Sequence, residues 1–403
     1  MNPDDLPRIP DDEFRSRWQR LQTAMGNARL DLVVAYADDH AVAGPAHARY
    51  LADFAPHFEP VCVLVPGAGD PLLLSGPETE ALAQLTSRTK DVRVIREFTH
   101  PDEEYPFTNP ISLRAAVAEA LERTGRPLRR VGLAGLEIMP TGLHQAFVHL
   151  FSQWDSQGEG VETDDAEYMV TDLRAIKTPA EQQVIRYAYQ LAQAGMQAAF
   201  DAIHEGATER EVAAAAEFAM RSQGSEGMGI DTIVASGPNT RPILARTRLR
   251  ELDRDELILL TIAPRYQGYH AAIGRPVVLG EPDAEVQRAM EVASEAQKAA
   301  AEAIRHGVPG CDVERAARQV VEEAGLGEYF LYSGVHSVGV IEFEPPIFGP
   351  GNYIPLQSGM VLSIDVPLFH APWGGLRYED GYVVSEGGAE PLDDFPTGVL
   401  TLE

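Results

Sequence analysis

Apolar residues in the first 165 positions fall into short runs separated by stretches of helical spacing. The segment WQRLQTAMGNARL (18–30) spaces its apolar residues as a helix would, and LDLVVAY follows it as a strand. PVCVLVP ends at Gly67 as a second strand. PLLL and VRVI repeat the signal, SLRAAVAEALERT reads as a helix, and VGLAG (131–135) is a further short strand. Strands alternating with helices predict an α/β domain with a mixed sheet. The polar stretch GEGVETDDAE (158–167) predicts a connection, so the first domain is placed at 1–165 and the second at 166–403.

The second domain opens on a helix-start signal. Thr178 suits an N-cap, Pro179 the first helical position, and Glu181 the third position of a capping box. Val184, Ala188, Leu191 and Gly195 continue at helical spacing. An internal repeat follows. GATEREVAAAAEFAMRSQG (206–224) resembles GVPGCDVERAARQVVEEAG (307–325) at a constant offset, with Gly206 on Gly307, Val212 on Val313, Ala216 on Ala317 and Gly224 on Gly325. The offset is too long for a solenoid unit. It predicts a duplicated half-domain, each half giving helices and then strands.

Charge narrows the partners. The 403 residues carry a formal net charge of −28. That repels nucleic acid and anionic membrane, so neither is expected as a partner. No run of about 18 apolar residues is present. The acidic start MNPDDLPRIPDDEF lacks an apolar signal core, which leads to the expectation of a cytoplasmic protein. Cys62 and Cys311, the two cysteines, give no disulfide framework and no zinc-finger spacing.

Six segments stand in one order and spacing. They are LRAIKTPAEQQVIRYA (173–188), IVASGPNT (233–240), LILLTIAPRYQGYHAAIGRPVVLG (257–280), VHSVGVIEFEPP (335–346), SGMVLSIDVP (358–367) and GGLRYEDGYVV (374–384). Together they resemble the catalytic domain of the superfamily of creatinase, aminopeptidase P, prolidase and methionine aminopeptidase, and YLADF (50–54) fits its N-terminal domain. The resemblance implies an α/β chain: a smaller creatinase-type N-terminal domain, then a pseudo-symmetric pita-bread domain. It also implies a homodimer.

The superfamily's peptidases hold two metal ions on Asp, Asp, His, Glu and Glu, and a bridging hydroxide attacks the peptide carbonyl. Here the two aspartate positions carry Thr261 and Ala272, neither with a carboxylate. The histidine is His336, the first glutamate position is Asp365, and the last is Glu379. The auxiliary histidine positions carry Leu244 and Phe343. Creatinase has the same fold, also lacks the metal aspartates, and cleaves a C–N bond without metal. Its catalytic glutamate and histidine positions are Gly274 and Leu244 here, so the chain is not a creatinase. The hairpin also resembles ectoine hydrolase through an IA–Y–YH pattern.

Strict alternation over 268–277 would put His270, Ala272 and Gly274 on one face. Ala272 marks this as the site face, so His270 joins the positions the resemblance implies, and the candidate catalytic residues are His270, His336, Asp365 and Glu379. Histidine is the natural acid or base near neutral pH, and paired carboxylates divide the two roles. Thr261, Arg377 and Glu344 are the candidate substrate contacts, with Glu342 left open beside them. Arg377 is suited either to gripping an anionic or carbonyl group or to an ion pair with Glu379 or Asp380. Trp373 is expected to pack a loop. Glu59, at a loosely aligned position, would disfavour a carboxylate-bearing substrate.

Three functions follow as expectations. The first is a metal-independent hydrolase of a small-molecule or dipeptide C–N bond, with no cofactor. The second is an Xaa-Pro dipeptidase or aminopeptidase holding one weakly bound Mn²⁺ or Zn²⁺ on His336, Asp365 and Glu379. The third is a ligand-binding module without catalysis.

Overall fold

The computed structural model describes residues 6–40, 42–154 and 160–403. Its contacts divide the chain into Ile9–Arg174 and Ala175–Glu403, the second unit also taking in residues 6–8.

The first unit is built on a six-stranded mixed sheet. Strand Leu32–Ala37 pairs antiparallel with Val61–Pro66 and parallel with Arg130–Ala134. Leu72–Ser75 and Asp91–Val94 extend one side, and Glu162–Asp165 the other. The central strands are buried along their whole length, because successive side chains enter two different cores. Val33, Val63 and Val65 pack with Leu21 and Met25 on one face. Val34, Leu64 and Val131 pack with Phe147 and Phe151 on the other.

Two expectations change here. The polar stretch expected to be a connection contains the edge strand Glu162–Asp165 and is followed by helix Glu167–Ala175. An edge strand needs only backbone pairing on one side, so its composition stays polar. Arg130 Nη2 reaches Asp164 Oδ2 at 2.5 Å. The division between units falls after Arg174 rather than near residue 165. Glu59 serves its own unit: its carboxylate accepts the backbone amides of Thr79 at 2.7 Å and Glu78 at 3.3 Å. It thereby anchors the chain entering helix Glu80–Thr86.

The repeat governs the second unit. Helix Pro179–Ala202 begins with the Thr178–Glu181 capping box. The two repeat copies become helices Glu209–Ser222 and Gly310–Glu323, each of 14 residues. Each half then supplies strands. The first gives Ile233–Ser236, Leu257–Ile262 and Ile273–Leu279; the second gives Val335–Ser337, Val361–Ala371 and Gly374–Ser385. They join in one sheet whose halves meet where Ile273–Leu279 pairs with Gly374–Ser385.

Strand alternation separates the two faces of this sheet. Leu362, Ile364, Val366, Leu376 and Tyr378 pack into a core with Met290, Ala293 and Val313 of helices Ala284–Ala303 and Gly310–Glu323. Their neighbours Ser363, Asp365, Arg377 and Glu379 therefore point to the opposite face. On that face, Tyr189 lies so close to Gly381 that a Cβ there would come within 2.1 Å of its phenol. Gly381→Ala is expected to lower stability by about 1–3 kcal/mol through overpacking. The midpoint of chemical denaturation measures this.

Candidate functional site

Directly paired residues on neighbouring strands share a face. Ile233, Thr261, Gly274, Glu379 and Asp365 form one such row across five strands. Ser363 lies two residues before Asp365, and His336 pairs opposite Ser363. Arg377 lies two residues before Glu379. The sheet thus gathers His336, Asp365, Arg377 and Glu379 from three strands.

Gly274 makes the arrangement possible. A Cβ there would stand 2.9 Å from Glu379 Cβ and 3.0 and 3.1 Å from Arg377 Cγ and Cδ. The Arg377 side chain runs over this gap. Its Nη1 is 3.7 Å from Asp365 Oδ2 and 4.0 Å from Glu379 Oε2. Its Nη2 donates to the Ile243 carbonyl at 3.1 Å. The Tyr332 hydroxyl donates to Asp365 Oδ2, and Ser363 Oγ donates to Glu379 Oε1 at 2.9 Å. His336 Nδ1 is 3.1 Å from the Ser337 carbonyl, which can only accept, so Nδ1 carries the hydrogen. Its Nε2 faces Glu379 Oε1 at 4.0 Å with its lone pair free of a proton. The Phe343 ring lies 4.3 Å from the His336 ring.

The cluster is deeply buried, and burial dominates its titration. It lowers the His336 pKa to about 4, so the imidazole is neutral near pH 7. Burial raises Glu379 well above the carboxylate range, with Asp365 and Glu342 adding repulsion. Glu342 is pushed up to about 7, again by burial first. Asp365 is raised by burial and held back by Arg377 and the Tyr332 hydroxyl. Burial works against the Arg377 charge, but the surrounding acids more than offset it. The site therefore holds one fixed cation, one neutral base and carboxyl groups whose protonated forms burial favours.

The other candidates lie elsewhere. Alternation does not carry through the hairpin: one strand ends at His270 and the next begins at Ile273, in a different sheet. His270 instead binds the Gly339 carbonyl through its backbone amide at 2.9 Å, with Nδ1 at 3.1 Å. Its ring lies against Gly229, where a Cβ would come within 2.2 Å. Glu344, expected at the substrate, is fully buried in an ion pair with Lys177 Nζ at 3.0 Å, and the same ammonium donates to Ser337 Oγ at 2.7 Å. Leu244 is exposed, beside the Ile243 carbonyl that holds Arg377. Trp373 packs edge-on against Tyr329. Ser363 and Tyr332 were not among the candidates expected from the sequence. Alternation from Asp365 points to Ser363; Tyr332 lies outside any strand and gives no periodic signal.

Two metal ions do not fit these residues. Thr261 Oγ1 is a buried hydroxyl without a hydrogen-bond partner among the described residues, and Ala272 has no donor atom. Asp365 is engaged by Tyr332 and Arg377. A single ion meets a different set from the expected one: His336, Glu342 and Glu379 each offer a ligand atom within 4.8 Å of the others.

The class is that of pita-bread hydrolases acting on C–N bonds. Residues 183–386 match the model of metallopeptidase family M24, and residues 17–176 match the creatinase/prolidase N-terminal domain. The Xaa-Pro dipeptidase of Pyrococcus furiosus is 33% identical over 250 residues, covering 62% of this chain and 71% of that protein. The probable dipeptidase PepE of Mycobacterium bovis is 30% identical over 392 residues, covering 93% and 96%. Among solved structures, dipeptidase PepE from Mycobacterium ulcerans superposes with a TM-score of 0.79 at 25% identity, covering 98% of this chain and 99% of that one. The prolidase of Pyrococcus horikoshii shares the fold, with a TM-score of 0.80 at 24% identity over 96% and 100% of the two chains. This chain belongs to metallopeptidase family M24.

The buried histidine gives a measurable pH signature. Its pKa is about 4 in the fold and 6.5 ordinarily. Between those values the unfolded chain binds the extra proton, so the contribution of His336 to stability is full above pH 6.5 and fades as pH falls. The stability gap between wild type and His336→Asn, in chelator-treated protein, should narrow by roughly 3 kcal/mol from pH 7 to pH 4. Urea titrations across that range measure it.

Proposed function

We propose that the chain hydrolyses a small-molecule or dipeptide C–N bond without the two-metal centre, its charge stabilisation coming from Arg377. The supporting observation is the guanidinium above Gly274, 3.7 and 4.0 Å from Asp365 and Glu379, in a row where Thr261 and Gly274 bring no carboxylate. A fixed cation in a buried site stabilises the oxyanion that forms when water adds to a carbonyl or amidine carbon.

The proton path follows from the titration states. His336 Nε2, neutral, takes a proton from water as the water oxygen bonds to carbon. Glu379, protonated, gives its proton to the leaving nitrogen as the C–N bond breaks. The imidazolium then returns its proton to the Glu379 carboxylate, 4.0 Å away, and both groups are reset. Asp365, fixed by Tyr332 and Arg377, orients the guanidinium. His270 holds the segment after His336 through the Gly339 carbonyl and is a positioning residue in this scheme. The reading carries with it a cytoplasmic homodimer, which sedimentation and fractionation address.

A second reading rests on the 4.8 Å grouping of His336, Glu342 and Glu379. These would hold one divalent ion, which would polarise a substrate carbonyl as a Lewis acid. The names of the relatives then favour Xaa-Pro dipeptides as substrates.

One panel separates the two. Small amides, amidines and Xaa-Pro dipeptides are offered to chelator-dialysed protein, with and without Mn²⁺ or Zn²⁺. Metal-free turnover that drops about 10²–10⁴-fold in His336→Asn and in Glu379→Gln supports the first reading. Turnover restricted to metal-loaded protein, with about one ion per chain lost in Glu342→Gln, supports the second and overturns the first.

A further inference from the structure

The buried cluster is polar, but exposed residues beside it are large and apolar. Phe343 is 45% exposed, and its ring lies 4.3 Å from that of His336. Ile347 is 38% exposed and pairs with His336 across neighbouring strands. The residue after it, Phe348, is buried in the helix-backed core, so alternation puts Ile347 on the face that carries the cluster. Leu244 is 75% exposed and follows Ile243, whose carbonyl accepts from Arg377 Nη2 at 3.1 Å.

Singly scattered apolar residues on a surface are ordinary. These three are gathered by the duplication. Leu244 stands between strands Ile233–Ser236 and Leu257–Ile262 of the first half, and Phe343 and Ile347 stand between Val335–Ser337 and Val361–Ala371 of the second. Two of them neighbour the base His336, and the third neighbours the cation Arg377. A molecule whose carbonyl lies between His336 Nε2 and Arg377 brings its remaining atoms against them.

The glutamates flanking Phe343 are committed elsewhere. Glu342 groups with His336 and Glu379, and Glu344 is paired with Lys177. Arg246, on the Leu244 loop, is paired with Asp231. A charged substituent set against Phe343 and Ile347 loses hydration without gaining a partner, whereas an apolar one gains by leaving water. Arg241 and Arg248 are further exposed charges on the Leu244 loop, and they define the rival outcome: a carboxylate-bearing substrate.

We propose that Leu244, Phe343 and Ile347 set specificity by receiving an uncharged apolar group of the substrate. The compounds cleaved are then neutral amides bearing an alkyl or aryl group, rather than dipeptides, whose two termini are charged. The assignment rests on the catalytic reading above, because that reading places the scissile carbonyl between His336 and Arg377.

Binding and turnover are measured separately on the chelator-dialysed full chain. Calorimetry gives the affinities of butanamide, hexanamide and octanamide, and of the charged analogues adipamate and 6-aminohexanamide; ammonia release gives kcat/KM. Affinity is expected to rise roughly threefold per methylene, and both charged analogues should bind about tenfold or more weakly than hexanamide. Leu244→Ser and Phe343→Ser, both at exposed positions, should each roughly halve the gain per methylene on a logarithmic scale. A merely structural role would weaken all three amides alike and leave that gain unchanged. Affinity independent of chain length, absence of saturable binding by every neutral amide, or adipamate binding more tightly than hexanamide overturns the proposal. So does an unchanged gain in both variants, whether or not their sedimentation shows that a second copy of the chain occupies this face. Chain-length-dependent binding without metal-free turnover supports the specificity assignment and counts against the catalytic reading alone. Metal-free turnover without chain-length dependence does the reverse.

Discussion

Burying several carboxyl groups together costs desolvation that something must offset. In the M24 peptidases that the sequence resembles, metal ions carry the compensating charge. Here Asp365, Glu379 and Glu342 are buried around one guanidinium. Arg377 reaches them because Gly274 leaves its Cγ and Cδ a path across the neighbouring strand. Burial raises Glu379 and Glu342 above the ordinary carboxylate range, which favours protonation where one cation does not neutralise them all. The proposed mechanism draws its acid, its neutral base and its oxyanion-stabilising cation from the same balance. The catalytic reading is thus a consequence of how the site stays neutral.

The duplication explains where this cluster sits. Two half-units of equal plan give two runs of strands, and the sheet closes where one run meets the other. Gly274 and Glu379 are paired across that seam. The seam joins residues far apart in sequence, so a site there draws on both halves. Alternation then divides each strand between two tasks. Leu376 and Tyr378 enter the core, Arg377 and Glu379 enter the site, and Asp380 anchors Arg275 on the far face. Arg275 binds the Glu379 carbonyl from behind, so the back network fixes the backbone from which the Glu379 carboxyl projects.

Much of the fold was legible in the chain because local rules and global architecture agree. The Thr178–Glu181 capping box forms as its spacing requires. The repeat at an offset read from glycines and alanines becomes two helices of equal length. His336, Asp365 and Glu379 come together because each lies in a regular strand, where alternation and register fix the direction of a side chain. The edge strand at Glu162–Asp165 was missed because an edge tolerates polar residues on both faces.

Two candidates take other partners in the fold, for one reason. His270 was assigned by alternation across a hairpin whose strand breaks at Ala271 and Ala272, and one break is enough to redirect the side chain. Glu344 was counted with the site because of its segment, but Lys177, distant in sequence, claims its carboxylate. Residue types, spacing and the loss of the two metal aspartates were determined by the sequence alone. Which carboxyl groups are buried against which cation was decided by tertiary structure, because charge pairing depends on distances between residues that the chain brings together only when the sheet closes.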